Sequence, residues 1–247
     1  MSALGIGLGL ALRGRRGGFD PVSLFPGGTA GAFYQIGPGY VWQDMAGTVP
    51  AAAGDPVGLL VDRSGNGNHA VQANAAQRPV LRQDAGGRYW LEFDGIDDFL
   101  RAGFALAQPW ERISALRQTG WTLARHLLGG ANVNAGVLQQ FGAAANLRLF
   151  SGTASSVCNV EPALGADEVI SELHDGAASG IAVNNGAPTV ADYGAAACGG
   201  VTIGGSSAGS SFGNFRLYGL AMRGGPLAAA TRTSLRGWMA ARAGFTL

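Results

Sequence analysis

Residues 89–100 read Y-W-L-E-F-D-G-I-D-D-F-L, and this stretch decides the fold class. Tyr89, Leu91 and Phe93 fall on one face of an extended chain, with Trp90 and Glu92 on the other, the two-residue period of a half-buried strand. Asp94-Gly95 then turns the chain and Phe99-Leu100 resumes it, since glycine accepts positive φ and an aspartate carboxylate bonds nearby backbone amides. The same rhythm returns at Ile113 to Leu116, Trp121 to Leu128, Gly136 to Gln140, Leu147 to Phe150, Val169 to Leu173, Ile181 to Val183, Val201 to Ile203 and Phe215 to Met222. Turn signals such as Asn184-Asn185-Gly186 and Gly204-Gly205 separate several of these runs. Many short strands at this spacing predict an all-β sandwich or barrel.

Upstream, Ala32 to Asp62 carries Phe33, Tyr34, Tyr40, Val41 and Trp42 ahead of Val57 to Val61, which suits two short strands joined by a loop. The segment from Asp62 to His69, D-R-S-G-N-G-N-H, reads as a turn or a side-chain-rich loop. At the other end, Pro226, Leu227, Leu235, Trp238, Met239 and a closing Gly244 predict one short helix, with the proline in its first turn.

Composition agrees with a turn-rich body. Glycine fills 42 of 247 positions, well above the average of about 7%, while charged residues make up only 13% of the chain. Seventeen basic and sixteen acidic side chains leave no polyelectrolyte signature for nucleic acid. Cys158 and Cys198 lack a zinc spacing; both read as small buried apolar residues, with pairing left open. Residues 1–12 are mostly apolar, but Arg13, Arg15 and Arg16 follow rather than precede them, and the run is too short to span a bilayer. Gly5, Gly7 and Gly9 weaken any helix there, so an extended arm that orders on docking to a partner is expected, without membrane insertion.

Three pieces, in order, resemble the laminin-G-like, concanavalin A-like domains of phage virion proteins. They are D-R-S-G-N-G-N-H-A (Asp62 to Ala70), L-E-F-D-G-I-D-D-F-L (Leu91 to Leu100), and the region from Gly199 to Gly244 with G-G-V-T-I-G, F-R-L-Y-G-L and the final helix. Trp42 to Pro50 and Asp55 to Leu59 look like a lead-in of phage tail and fibre proteins. The resemblance implies a concanavalin A-like jelly-roll β-sandwich over residues 76–247, preceded by lead-in strands over 29–75 and the arm over 1–28. It further implies a non-enzymatic spike or fibre on the surface of a phage-like particle such as a gene transfer agent, made in the bacterial cytoplasm. Leu4, Ile6, Leu8, Leu10, Leu12 and Phe25 of the arm would then anchor to capsid, portal or tail proteins, and the jelly roll would grip host surface polysaccharide. A free lectin and a glycan hydrolase are the alternatives.

Sugar recognition combines aromatic platforms with amides and carboxylates that bond hydroxyls. The candidates are Trp90, Trp121 and Tyr193 as platforms, with Tyr218 beside them, and Asn66, Asn68, Asn184, Asn185 and Asn214 on polar loops. The loops Asn66 to Asn74, Asn184-Asn185 and Ser206 to Asn214 are the favoured places for contacts. Enzymes of the resembling fold that cleave β-glucans set two glutamates and an aspartate along one strand; Glu92-Phe93-Asp94 begins that pattern, but Gly95 and Ile96 break it, so no catalytic residue is assigned. No cofactor is expected. A structural calcium ion could draw on Asp62, Asp94, Asp97 and Asp98, against a competing reading in which these carboxylates only stabilise turns. His69, His126 and His174 show no ligand-like spacing and read as surface or loop histidines.

Overall fold

The computed structural model describes residues 18–152 and 162–247, together with the backbone of 155–160. Strands are numbered β1 to β17 along the chain. The first antiparallel sheet runs β15 (Thr189–Val190), β14 (Gly180–Val183), β13 (Glu168–His174), β8 (Trp110–Gln118), β17 (Asn214–Gly224), β6 (Tyr89–Asp94) and β5 (Val80–Gln83). Beyond the reach of β6, β1 (Gly31–Gln35) takes the same edge of β17, from Gly219 to Arg223. The second sheet runs β12 (Ser155–Val160), β11 (Leu147–Phe150), β10 (Val137–Gln140), β9 (His126–Gly129), β16 (Gly200–Ile203), β7 (Leu100–Gly103), β4 (Ala70–Val71), β3 (Leu59–Leu60) and β2 (Val41–Trp42). The two sheets stack as a jelly-roll β-sandwich, as the strand rhythm predicts.

Alternation fills the space between them. Leu91 and Phe93 of β6, Leu116 of β8, Leu128 of β9, Leu138 of β10, Ile203 of β16 and Phe215 and Leu217 of β17 are fully buried in one cluster. Phe93 and Phe215, directly paired across β6 and β17, stack with centroids 4.7 Å apart. The apolar layer also encloses a charged pair. Arg112 donates from Nε to Glu172 Oε1 at 2.9 Å and from Nη2 to Oε2 at 2.5 Å, and both side chains are 0% exposed. Burial alone pushes Glu172 up, but the Arg112 charge and bonding from His174 hold it below the ordinary carboxylate range. His174, stacked on Trp110 at 3.6 Å, is driven down to about 4 chiefly by burial and so is neutral.

A third layer covers the outer face of the first sheet. Helix α1 (Ala229–Ala243) lays Leu235, Met239, Ala240 and Ala243 on Phe33, Ile113, Ala115, Val169, Tyr218 and Ala221. It ends where Gly244, at φ 87°, turns its N–H back to the Ala240 and Ala241 carbonyls. It starts at Ala229, so Pro226 stands before the helix rather than in its first turn. Leu24 and Phe25 complete this layer from two short 3-10 turns, Pro21–Leu24 and Pro26–Gly28, the first capped by the Asp20 carboxylate. Phe25 is thus committed to the chain's own core. The other anchor candidates, Leu4, Ile6, Leu8, Leu10 and Leu12, lie outside the described residues, as does the side chain of Cys158; Cys198 is buried. Residues 29–75 supply β1 to one sheet and β2, β3 and β4 to the other. Among the described residues no helix is long and apolar enough to cross a membrane.

Candidate functional site

The loop from Asp62 to His69 spends its polar groups on its own chain. The buried Asp62 carboxylate accepts from the backbone N–H groups of Phe33, Ser64 and Asn68 at 2.8–2.9 Å and from the Ser64 hydroxyl at 2.7 Å. The amides of Asn66 and Asn68 both donate to the Gly31 carbonyl, and His69 Nδ1 accepts from the Asp62 N–H. This knot holds the entrance of β1, and Asp62 is not among the carboxylates that gather elsewhere.

Those carboxylates are Asp94, Asp97 and Asp98, whose ligand oxygens lie within 4.8 Å of one another. Asp94 Oδ1 accepts from Ile96 N–H at 2.7 Å and Asp98 Oδ2 from Asp94 N–H at 3.0 Å, so turn stabilisation occupies part of the set. Burial first, and then the charges of Asp94 and Asp97, push Asp98 up to about 6. The oxygen chemistry fits calcium, but three carboxylates supply only part of the six to eight oxygens it takes. Asn214 packs against Gly95 and Gly120 and accepts from the Thr119 hydroxyl, which brings Asn214, the 94–98 turn and the half-buried Trp121 to one end of the sandwich.

The remaining candidates are separated from these. Asn184, at φ 50°, accepts from Val169 N–H, and Asn185 accepts from Arg236. Trp90, 8% exposed, lies in the helix layer with the Arg216 guanidinium 4.8 Å from its ring centre, and Tyr193 is 0% exposed. Neither ring presents a face to solvent. Tyr218 is buried on the bulge where the β17–β8 register shifts, under the helix.

The outer face of the second sheet carries a different arrangement. After β16, Gly204 adopts φ 96°, where a Cβ would collide with the Phe93 ring and the Asp98 carbonyl, and the chain folds back across the sheet. Arg101 of β7 pins the returning loop by donating to the Ser206 and Ser207 carbonyls, at 3.4 and 2.5 Å. The Ser206 and Ser210 hydroxyls bond each other at 2.9 Å, Ser211 O accepts from His126 N–H, and Phe212 stacks on Phe99. Facing this loop is the β9–β10 connection, where Asn132 donates to Ala197 O and Asn134 turns at φ 54°.

Between loop and connection lies a cavity of about 230 Å³ lined by His126, Asn132, Asn134, Ser206, Ser207 and Ser210, among others. His126, 9% exposed, packs edge-on to Phe150, and its Nδ1 is buried without a hydrogen-bond partner. Burial, then the nearby positive charge of Arg148, pushes it down to about 4, so the imidazole is neutral at physiological pH. The cleft therefore offers hydroxyls, amides and a neutral ring nitrogen with no net charge, a lining for a hydroxyl-rich neutral ligand. The Ser206 to Asn214 loop is legible in the sequence; His126, Asn132 and Asn134 are not, because only strand register places them opposite it.

Carboxylates elsewhere bear on hydrolysis. Glu92 is engaged by Arg82 at 3.2 Å and Arg216 at 4.0 Å on the outer face of the first sheet, and Asp94 caps its own turn. Glu168, 5% exposed, is pushed up to about 7, by burial above all, and accepts from the Ala163 N–H beside an open cleft formed by Ala143 to Asn146 and Pro162 to Leu164.

No family model and no curated protein sequence matches the chain. Solved structures do. A mutant Trypanosoma rangeli sialidase displaying trans-sialidase activity superposes with a TM-score of 0.57 at 14% identity, over 88% of this chain and 34% of the sialidase. An arabinofuranosidase complexed with arabinofuranosyl-alpha-1,2-xylobiose gives 0.56 at 15% identity, over 76% of this chain and 51% of that one. Domain 4 of AbnA, a GH43 extracellular arabinanase from Geobacillus stearothermophilus, in complex with arabinotriose, gives 0.56 at 14% identity, over 71% of this chain and 92% of that domain. The chain thus spans about a third of the sialidase it matches. At these identities the likeness is one of fold, a β-sandwich found in carbohydrate-active proteins. It corrects the expectation of a non-enzymatic chain: the fold recurs within a sialidase and arabinofuranosidases, so an incomplete glutamate motif on β6 is no ground for excluding catalysis.

Proposed function

We propose that the chain is a carbohydrate-recognition β-sandwich whose sugar subsite is the cleft beneath the Ser206 to Ser211 loop. The observation that carries this reading is the uncharged hydroxyl-and-amide lining of that cleft, contributed by Asn132, Asn134, Ser206, Ser207 and Ser210 around a neutral His126. Such groups bond sugar hydroxyls in both donor and acceptor senses. The match to an arabinanase domain seen with arabinotriose supports an oligosaccharide as the ligand class.

Calorimetry against arabinotriose, sialyllactose and a panel of bacterial surface polysaccharides tests the proposal. Saturable binding to one of them, weakened by Ser207→Ala, is the expected outcome; no binding across the panel overturns it. Product analysis of the same mixtures reads hydrolysis, and Glu168, the carboxyl brought closest to neutral pH, is the first to replace if products form.

Display on a phage-like particle is the finer form of this reading. It rests on the motif resemblance, with host surface polysaccharide as the ligand and the apolar Leu4 to Leu12 of the 1–28 arm as the attachment to capsid, portal or tail proteins. Deleting residues 1–17 should abolish retention on such particles while leaving sugar binding intact; unchanged retention removes the anchoring role.

A further inference from the structure

A second cavity, of about 210 Å³, lies on the opposite side of the molecule, between α1 and the β13–β14–β15 edge of the first sheet. Its walls are largely apolar, from Leu173, Ala182, Pro188 and Val190, the last 59% exposed at the mouth. Two arginines of α1, Arg232 and Arg236, stand one turn apart on the face that lines it. Their situations differ. Arg232 is bound by Glu111 and donates to the Leu227 carbonyl, so its charge is balanced. Arg236 forms no ion pair among the described residues; its one bond is to the neutral amide oxygen of Asn185 at 3.3 Å, and its Nε is buried without a partner.

Across the cavity, Ser171 is 7% exposed and its hydroxyl also has no partner. Alternation along β13 sends Ser171 outward, while Glu172 points inward to Arg112, so the Glu172 carboxylate does not neutralise this side. Burial, and then the neighbouring charge of Arg232, lowers the Arg236 pKa, the direction produced by a cation lacking an anion.

We propose that this cavity binds a small monocarboxylate with an apolar body, the carboxylate bridging Arg236 and the Ser171 hydroxyl and the body lying on Leu173, Ala182, Pro188 and Val190. One uncompensated positive charge matches one negative charge; the Arg236 guanidinium would meet the carboxylate through its terminal nitrogens, and the unpartnered Ser171 hydroxyl would supply a second donor by rotation about its Cα–Cβ bond. The lining differs from that of the serine-rich cleft, and the proposal does not depend on sugar binding there.

The test is an NMR titration of the full chain with benzoate, using benzamide as the neutral counterpart and glucuronate as a polar carboxylate. Saturable benzoate shifts at Ser171, Ala182 and Val190 are expected, with benzamide silent, glucuronate weaker and affinity reduced about tenfold in Arg236→Gln. Ser171→Ala should weaken benzoate in the same direction, and the circular dichroism of each variant confirms that it folds. Absence of benzoate shifts, equal binding by benzamide, equal or tighter binding by glucuronate, or undiminished binding by a folded Arg236→Gln overturns the proposal.

Discussion

The two sheets expose their outer faces to different fates. On the first, outward positions such as Ile113, Ala115, Val169 and Ala221 are apolar and disappear beneath α1, Leu24 and Phe25. On the second, Arg101 and His126 bond the covering loop, Thr202 and Gln139 beside them on the same face are polar, and the loop leaves a cavity of about 230 Å³. Ile113, Ala115, Val169 and Ala221 on one face and Thr202, Gln139 and His126 on the other are all buried, so burial alone does not separate packing from function. What separates them is the chemistry of the cover: an apolar helix completes a third packing layer, whereas a serine-rich loop pinned by an arginine leaves donors and acceptors facing a space.

The change with the largest expected effect breaks the layer that both faces share. Arg112→Ala strands the Glu172 carboxylate in the core and should cost about 4 kcal/mol in urea unfolding. Leu235→Ala attacks the helix face alone and should cost about 3 kcal/mol, with sugar affinity unchanged in the fraction that stays folded. The loop face should behave in the opposite way: Ser207→Ala should shift stability by less than about 0.5 kcal/mol and weaken oligosaccharide binding about tenfold, read by calorimetry.

Titration sharpens the same contrast with a smaller effect. The folded-state pKa values of His126 and His174 lie below that of an unfolded histidine, so the unfolded chain binds the extra protons. Their contribution is fully present above about pH 6.5 and is lost as pH falls through about 4. Glu168 is raised and works in reverse, its contribution complete below about pH 4.5 and lost as pH rises through about 7. Unfolding temperature measured against pH should therefore fall less between pH 5 and 8 in Glu168→Gln than in the parent, while replacing His126 by glutamine should flatten the acid side.

How much of this was legible in the sequence depended on whether a partner was local. The alternation of Tyr89 to Phe93, the turn at Asp94-Gly95 and the helix end at Gly244 are set by neighbours a few residues away and are present in the structure, whereas the helix start lies at Ala229 rather than at Pro226. Trp90 occupies the outward position that alternation assigns, yet outward here means under a helix whose residues begin about 140 positions later, so its ring is buried. Asn66 and Asn68 looked free for ligands because nothing nearby shows that Gly31, more than thirty residues upstream, would take their donors. The cleft itself joins His126, Asn132 and Ser207 from segments that only the β9–β16 pairing brings together.

Amide-resolved NMR titration with the oligosaccharide that binds in calorimetry tests the sugar subsite most directly. Saturable shifts confined to residues 126–137 and 204–213, absent in Ser207→Ala, are expected; shifts centred on the helix face, or on the turn at residues 94–98, would contradict the assignment.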